Sequence, residues 1–288
     1  MAESSGALSP IRASQQTLQT GIHHLTESIE LAFIKNVYGG MLLSAGGMLS
    51  LILGAGFKGA SEENPGLQRL LQGSAFPIGL VLVYTVGAEL FTGLPMWWTM
   101  TALARRGTLK QYILGTLTSW VGNLVGAVFI AALTSNFTGT LQQEPWRSGV
   151  ISQVEEDIID LPFHTIFLRA IGCGWLVTVA MFLGTQNKDG ISKVLALHLP
   201  FLIATVARFP HTVEYMYLAA VGIMVGSPLG VGAYFWKCLL PITLGNTVGG
   251  GVFTGLYLWY VNLKRADDQK QDVPEGWESG RLDGDYHD

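Results

Sequence analysis

The stretch from residue 73 to 101 constrains the fold more than any other part of the chain. It is longer than the roughly 20 apolar residues that cross a bilayer, carries one acid, Glu89, and is broken by Gly87, Gly93 and Pro95. Irregular backbone persists inside a membrane only where protein or a water-filled cavity receives its polar groups. The stretch therefore predicts two half-helices joined by a loop at a pore or transport site. The alternative, one tilted helix with a proline kink, leaves Glu89 without a partner.

The composition is typical of a membrane protein. Of the 288 residues, 49% are hydrophobic and 13% are charged, and this charged share is about half of the ~25% found in soluble domains. The net charge of -4 gives no sign of nucleic-acid binding. Cys173 and Cys238 lie in apolar stretches, and the histidines other than His211 show no metal-ligand spacing. We therefore expect no disulfide, no metal site, no cofactor and, without nucleophile or phosphate-loop motifs, no enzyme.

Six apolar segments are expected to cross the membrane. They cover approximately residues 33–57, 73–101, 111–133, 162–184, 194–225 and 234–261. The fifth, like the second, is too long for a simple span, and Arg208, Phe209, Pro210 and His211 interrupt it. The polar connection 134–160 is predicted to end in a short surface helix.

The remaining residues divide the chain into three parts. We predict a polar N-terminal extension over 1–28, ending in a short amphipathic piece near Leu25 to Phe33, a transmembrane domain over 29–263, and a disordered tail over 264–288. Six spans place both termini on one side, and lysine and arginine are more frequent on that side. The positive-inside rule therefore predicts a multi-pass plasma-membrane protein with cytoplasmic termini.

Two landmarks repeat at one interval along the chain. Pro200 follows Pro77 by 123 residues, and GNTVG at Gly245 follows GNLVG at Gly122 by the same interval. Each half then contains three spans, an odd number, so the halves must be inverted relative to one another. Inverted repeats with a broken helix in each half are typical of transporters whose site lies where the breaks meet.

These motifs resemble the formate/nitrite transporter family over about residues 30–262. The resemblance lies in FPIGL at 76–80, GAELFTG at 87–93, GNLVG at 122–126, RAIGCGWLVTVA at 169–180, FPHTV at 209–213 and LPITLGNTVGGG at 240–251. It implies an all-α, aquaporin-like fold, a homopentamer in membrane lipid, and a pore in each protomer. The substrates that it implies are small monovalent anions or their neutral acids, with protons as partners.

The resemblance assigns roles to particular residues. Thr92 matches the pore-loop threonine and His211 the central pore histidine. The residues at positions resembling the apolar constrictions are Phe76, Leu80, Phe91 and Phe209. Asn123 and Asn246 match the paired asparagines and, like Glu89, are expected to support the pore loops.

Four positions depart from the family pattern and are candidates for selectivity. Gly174 stands where the family usually has asparagine, and Glu214 and Tyr215 where it usually has Ala-Asn. Arg208 replaces a common glycine, and the lysine often found before the fourth span has no clear match. Arg208 either pairs with Glu214 across Pro210 or reaches a vestibule and attracts anions.

Chemistry favours an anion path with His211 in it. A bare anion loses its hydration shell at an apolar constriction at great cost, and a histidine can offset that cost by donating a hydrogen bond or a proton. The alternative role for His211 is to cap a free carbonyl at the helix break. A neutral-solute pore is a second reading of the chain, although the twin Asn-Pro-Ala motif is absent. A transport-dead scaffold of the same fold is the third.

Overall fold

The chain is all-helical in the part that the structure describes. The computed structural model covers residues 6–56 and 63–265, where an isolated bridge between Ala7 and Asn187 is the one β-type pairing. The helices are α1 (Pro10–Thr26), α2 (Ile29–Gly56), α3 (Pro65–Ala75), α4 (Ile78–Val86), α5 (Leu94–Leu103), α6 (Leu109–Ala132), α7 (Trp146–Val154), α8 (Phe163–Gln186), α9 (Gly190–Val206), α10 (Thr212–Val225) and α11 (Val231–Lys264). The all-α class is therefore confirmed.

Five helical segments are long and apolar enough to cross a bilayer. They are Ile29–Gly56, Pro65–Val86, Leu109–Phe137, Phe163–Gln186 and Val231–Lys264, the last containing π-type turns. Two further apolar helices, α9 and α10, are shorter. The second segment begins at Pro65, before the start that we predicted near residue 73, because the ring of Pro65 fits the first turn of a helix.

Two segments leave the helical path between neighbouring helices. After α4, Gly87 adopts a left-handed φ of 76°, and a short turn over Phe91–Gly93 leads into α5. After α9, Arg208 adopts a φ of 54°, and α10 begins after His211. Glycine takes a left-handed backbone at little cost, whereas Arg208 needs its side-chain contacts to hold it there. We call these segments the first break (87–93) and the second break (207–211).

The N-terminal residues form a packed helix. The described part of the polar extension contains α1, which packs against α5 and α8. Its buried side is made of small and polar residues, including Ser14, Thr17 and Gly21. A Cβ on Gly21 would lie 2.9 Å from Cγ2 of Thr101. A second helix does not start near Leu25 but at Ile29, so the predicted amphipathic piece is wrong.

The 134–160 connection is also more buried than predicted. Its helix α7 continues through a π-type turn over Glu155–Ile159. Val150, Val154 and Ile158 are fully buried, and α7 packs against α2 and α10. The expectation of a surface helix is wrong because these three apolar side chains share one face. The predicted tail lies almost entirely outside the described residues.

Two close helix contacts have the same form in the two halves of the chain. Gly40 on α2 lies against the backbone of Asn123 on α6, and Gly174 on α8 lies against the backbone of Asn246 on α11. Small residues allow helix backbones to approach closely in membranes. Both contacts place an asparagine next to a break.

Candidate functional site

The two breaks bring Thr92 and His211 together. His211 Nε2 lies 2.8 Å from Thr92 Oγ1, and both side chains are fully buried. His211 is also the N-cap of α10, where its Nδ1 accepts a hydrogen bond from the Glu214 N–H at 3.3 Å. Since Nδ1 is an acceptor, this bonding assigns the hydrogen to Nε2, which donates to Thr92. Among the described residues the Thr92 hydroxyl has no other partner. Its own hydrogen can therefore be donated in a hydrogen bond to a ligand.

Aromatic rings surround this pair. The ring centroid of Phe201 lies 5.3 Å from that of His211 and 4.9 Å from that of Phe76. Phe76 is 6.4 Å from His211 by the same measure. Phe91, next to Thr92, is buried as well. The pair therefore lies in apolar surroundings where a hydrogen bond is stronger than in water.

Cavities lie on both sides of the pair. The first vestibule, about 210 Å³, is lined by Leu80, Tyr84, Glu89 and Trp97 among others. The second vestibule, about 340 Å³, is lined by Arg69, Gln72, Gln153, Glu156 and Arg208 among others. Phe209 lines a smaller cavity beside the second vestibule. Leu80 thus borders the first vestibule, and Phe209 borders the smaller cavity.

Asn123 ties the first break to the neighbouring helices. Its Oδ1 accepts from the N–H of Phe91 at 2.7 Å. Its Nδ2 donates to the carbonyls of Asn36 and Glu89 at 2.7 and 3.0 Å. The amide therefore satisfies the Phe91 N–H and the Glu89 carbonyl, which the break leaves without helical partners, and links them to α2.

Asn246 holds the second break in the same way. Its Oδ1 accepts from the N–H and the hydroxyl of Thr212, each at 2.8 Å. Its Nδ2 donates to the carbonyls of Ala170 and Pro210 at 2.8 and 3.1 Å. Both asparagines are fully buried. The repeated GN motif thus supplies one backbone-binding amide to each break.

Glu89 belongs to a buried ion cluster. Its Oε1 lies 3.0 Å from Lys35 Nζ and 3.4 Å from His24 Nδ1, and Lys35 also pairs with Glu27. Glu89 is therefore bound by side chains on α1 and α2. His24, Glu27 and Glu89 bring three metal-type ligand atoms within 4.8 Å of one another. This grouping corrects our expectation that the histidines other than His211 show no metal-ligand spacing. Lys35 Nζ, 3.0 Å from Glu89 Oε1, lies among the same groups.

Acidification is expected to weaken the docking of α1. Burial lowers the pKa of His24 to about 4 from the ordinary 6.5, and its ring stacks on Trp97 at 4.4 Å. The undocked helix binds more protons between these values, so the contribution of His24 is complete above pH 6.5 and is lost toward pH 4. Hydrogen exchange of the α1 amides, corrected for intrinsic rates, should increase by roughly a hundredfold at the acid end.

Two variants control this prediction. His24→Gln should remove most of the pH dependence of α1 exchange, whereas His23→Gln should leave it as in the unchanged protein. Equal pH dependence in the His24→Gln protein would show that His24 does not control the docking.

Arg208 is bound by acids of the 134–160 connection. Its Nη1 lies 2.9 Å from Glu156 Oε2 and 3.1 Å from Asp157 Oδ1. The Tyr215 hydroxyl donates to Asp157 Oδ2 at 2.8 Å. Of our two alternatives for Arg208, the ion pair with Glu214 is absent among the described contacts, and Arg208 does line the second vestibule.

The fourth departure, Gly174, has a different setting. It lies in the contact between α8 and α11, where a Cβ would be 2.5 Å from Cα of Asn246. No side chain larger than hydrogen fits there without moving the backbone. Gly174 therefore lies in the packing interface between α8 and α11 and not beside the Thr92–His211 pair.

The sequence did not identify several residues of this region. Lys35, Glu27 and Asp157 belong to none of the motifs that we recognised in the sequence. Phe201 directly follows Pro200, as Phe76 directly precedes Pro77, and this proximity to the repeated proline was the available signal. The Lys35–Glu89 and Arg208–Asp157 ion pairs carry no comparable pattern because their partners are more than 50 residues apart.

Comparison with known proteins identifies the family. The family model described as "Formate/nitrite transporter" matches residues 12–260. The chain belongs to the formate/nitrite transporter family. It is therefore a multi-pass membrane protein of a family of transporters and channels rather than enzymes, as the sequence predicts. The match begins within α1, so the family pattern includes part of the N-terminal helix.

Relatives and solved structures of this family cover most of the chain. A "Probable formate transporter" from Methanothermobacter thermautotrophicus is 34% identical over 253 residues, which are 83% of this chain and 90% of that protein. A structure described as "FNT family ion channel" has a TM-score of 0.78 at 27% identity, covering 86% of this chain and 98% of the other. A "Pentameric formate channel with formate bound" has a TM-score of 0.69 at 22% identity, covering 82% and 98%. The last similarity shows the shared fold.

Proposed function

We propose that the chain carries small monovalent anions of the formate or nitrite class across the membrane, together with a proton, as the neutral acid. Membership of the formate/nitrite transporter family supports this proposal. The single observation that carries it is the Thr92–His211 pair, held at 2.8 Å between the two breaks with a vestibule on each approach.

The site has donors suited to a small oxyanion. Thr92 has a free hydroxyl hydrogen, and its oxygen is held by the Nε2–H of His211. α5 begins just after Thr92 and α10 just after His211. Helix N-termini carry partial positive charge and favour anions. The hydrogen bond and the two helix ends can therefore stabilise an acid whose oxygens carry part of the negative charge.

The apolar rings select for the neutral form. Phe76 and Phe201 pack on one another at the pair, and Leu80 and Phe209 lie on the two approaches. A hydrated ion cannot pass such residues without losing water, and an uncompensated ion in apolar surroundings is very costly. Formic or nitrous acid, small and uncharged, avoids that cost.

We further propose six crossings in two inverted repeats. The segment α3–α5 and the segment α9–α10 each count as one crossing interrupted by a break. The equivalent bonds of Asn123 and Asn246 support the repeat. The protein would then be a homopentamer in the plasma membrane, with lipid around it and both termini in the cytoplasm, and with one pore in each protomer. The pentamer is proposed from the similarity to the formate channel.

Within this proposal, the departures from the family pattern affect the second vestibule. Arg208 and Tyr215 lie beside it with Asp157, and Arg208, like Arg69, is a cation that an arriving anion meets there. Gly174 has a packing role, and Glu89, Asn123 and Asn246 support the breaks.

Flux into vesicles tests the proposal. Purified protein is reconstituted with a pH-sensitive dye inside, and formate, nitrite, acetate and lactate are added in turn at several external pH values. Fast internal acidification with one of these anions, increasing as the external pH falls, is the expected result. Water permeability without anion flux would favour a neutral-solute pore. Folded protein that shows neither flux would favour a transport-dead scaffold.

A further inference from the structure

The side chain of Glu214 faces a small cavity between the second vestibule and Phe209. The cavity measures about 20 Å³ and is lined by Glu214, Asp157, Tyr215 and Phe209 among others. This volume is sufficient for about one water molecule. Gln72, Gln153 and Arg208 line both this cavity and the second vestibule, so the two spaces adjoin.

Glu214 differs from the neighbouring acids in its hydrogen bonds. Asp157 accepts from Arg208 with one oxygen and from Tyr215 with the other. Glu156 also accepts a hydrogen bond from Arg208. Within the described part of the chain, no cation forms an ion pair with the Glu214 carboxyl, which is held by the backbone N–H of His211. It is therefore the acid of this group that no positively charged side chain neutralises.

The groups around Glu214 favour a proton on it. The charged and titratable groups near the Glu214 carboxyl or its cavity come from four elements. They are Glu156 and Asp157 from the connection, Arg208 and His211 from the second break, Tyr215 from α10 and Cys173 from α8. The single cation, Arg208, is shared between Glu156 and Asp157. A third carboxylate beside this arrangement would add uncompensated negative charge on the path of an anion.

His211 is poorly placed to supply the proton. Its Nδ1 accepts the N–H of Glu214, the first-turn bond that caps α10. A proton on Nδ1 would point at that N–H and remove the cap. His211 is therefore suited to remain neutral and to donate a hydrogen bond through Nε2, while the proton comes from another group.

We propose that Glu214 is the proton-exchange group for transport in this chain. An anion arriving from the second vestibule takes the proton: the O–H bond of the Glu214 carboxyl breaks, and an O–H bond forms on the anion. The neutral acid then passes Phe209 toward Thr92 and His211. The carboxylate left behind takes a proton from a hydronium ion of the second vestibule through the small cavity, the hydronium ion becomes water, and no oxidation or reduction takes place. This inference rests on the proposed function and adds the source of the proton.

The test shows whether the uptake rate depends on the concentration of formate anion or on that of undissociated formic acid outside the vesicles. External pH and total formate are varied together so that undissociated formic acid stays constant while formate anion increases about tenfold, and uptake is measured in vesicles. We expect uptake through the unchanged protein to increase with the anion by several-fold. Uptake through Glu214→Gln should follow the undissociated acid alone and stay constant across the series. Asp160→Asn removes an exposed acid of the same connection and should behave as the unchanged protein.

Each further outcome has a defined meaning. No uptake in the unchanged protein would refute the proposed function itself. Glu214→Gln uptake that still increases with the anion would overturn the role of Glu214 and leave the proposed function standing. If this variant does not assemble, infrared difference spectra of the unchanged protein decide. A protonated-carboxyl band that disappears when formate is added supports the proposal, and the absence of such a band overturns it.

Discussion

Formate uptake through His211→Phe is expected to be at least roughly a hundredfold slower than through the unchanged protein, the loss typical when one preorganised donor to a developing charge is removed. Phenylalanine keeps the aromatic surface beside Phe76 and Phe201 but has no Nε2–H. Thr92 then loses its 2.8 Å partner, and its hydroxyl is no longer held toward the path. Thr92→Val, which removes the hydroxyl while keeping the branched shape, should reduce uptake similarly.

A structural defect must be distinguished from a transport defect in this experiment. His211 also caps α10, and the phenylalanine variant leaves the Glu214 N–H without its acceptor. His211→Asn retains a side-chain acceptor suited to an N-cap, and it should assemble normally yet still transport poorly. Normal uptake in assembled His211→Phe protein would exclude His211 from the mechanism.

Asn246→Ala is expected to destabilise the protein strongly. It leaves two donors of Thr212 and the carbonyl of Pro210 without partners in a buried break. Each buried unsatisfied group costs about 1–3 kcal/mol, so the total loss in the free energy of unfolding is about 3 kcal/mol or more. The midpoint of thermal unfolding in detergent should fall by roughly 10 °C.

A matched variant shows whether the effect belongs to the break. Asn262 makes one described hydrogen bond, to Ser14 on α1, and Asn262→Ala should cost about 1 kcal/mol. If Asn246→Ala were no less stable than Asn262→Ala, the second break would not depend on its asparagine.

Repetition made the central part of the site predictable from sequence. Pro77 and Pro200, and the GN motifs at Asn123 and Asn246, indicated two equivalent breaks. The structure brings Thr92 and His211 from these breaks to hydrogen-bond distance, while their roles in transport stay predictions. Such a pattern is visible because each half must solve the same problem, namely a helix end at membrane depth.

The charged surroundings of the site were not predictable in the same way. The partners of Arg208 are Glu156 and Asp157, which lie in a connection far away in sequence. Long-range ion pairs have no periodicity, so only the packing of α7 against α10 reveals them. The docking of α1 was missed because Ser14, Thr17 and Gly21 are small and polar, and hydrophobic patterning does not identify such a buried face.

The response of uptake to membrane voltage tests the central claim most directly. Vesicles are held at zero and at about 100 mV, inside negative, by a potassium gradient and a potassium ionophore, and formate uptake is measured at constant pH. A bare anion loses about 2.3 kcal/mol per 100 mV when it enters against the field. We predict the same uptake rate at both voltages, with one proton released inside for each formate, because the neutral acid crosses. Uptake that falls steeply at the negative voltage without internal acidification would contradict the account.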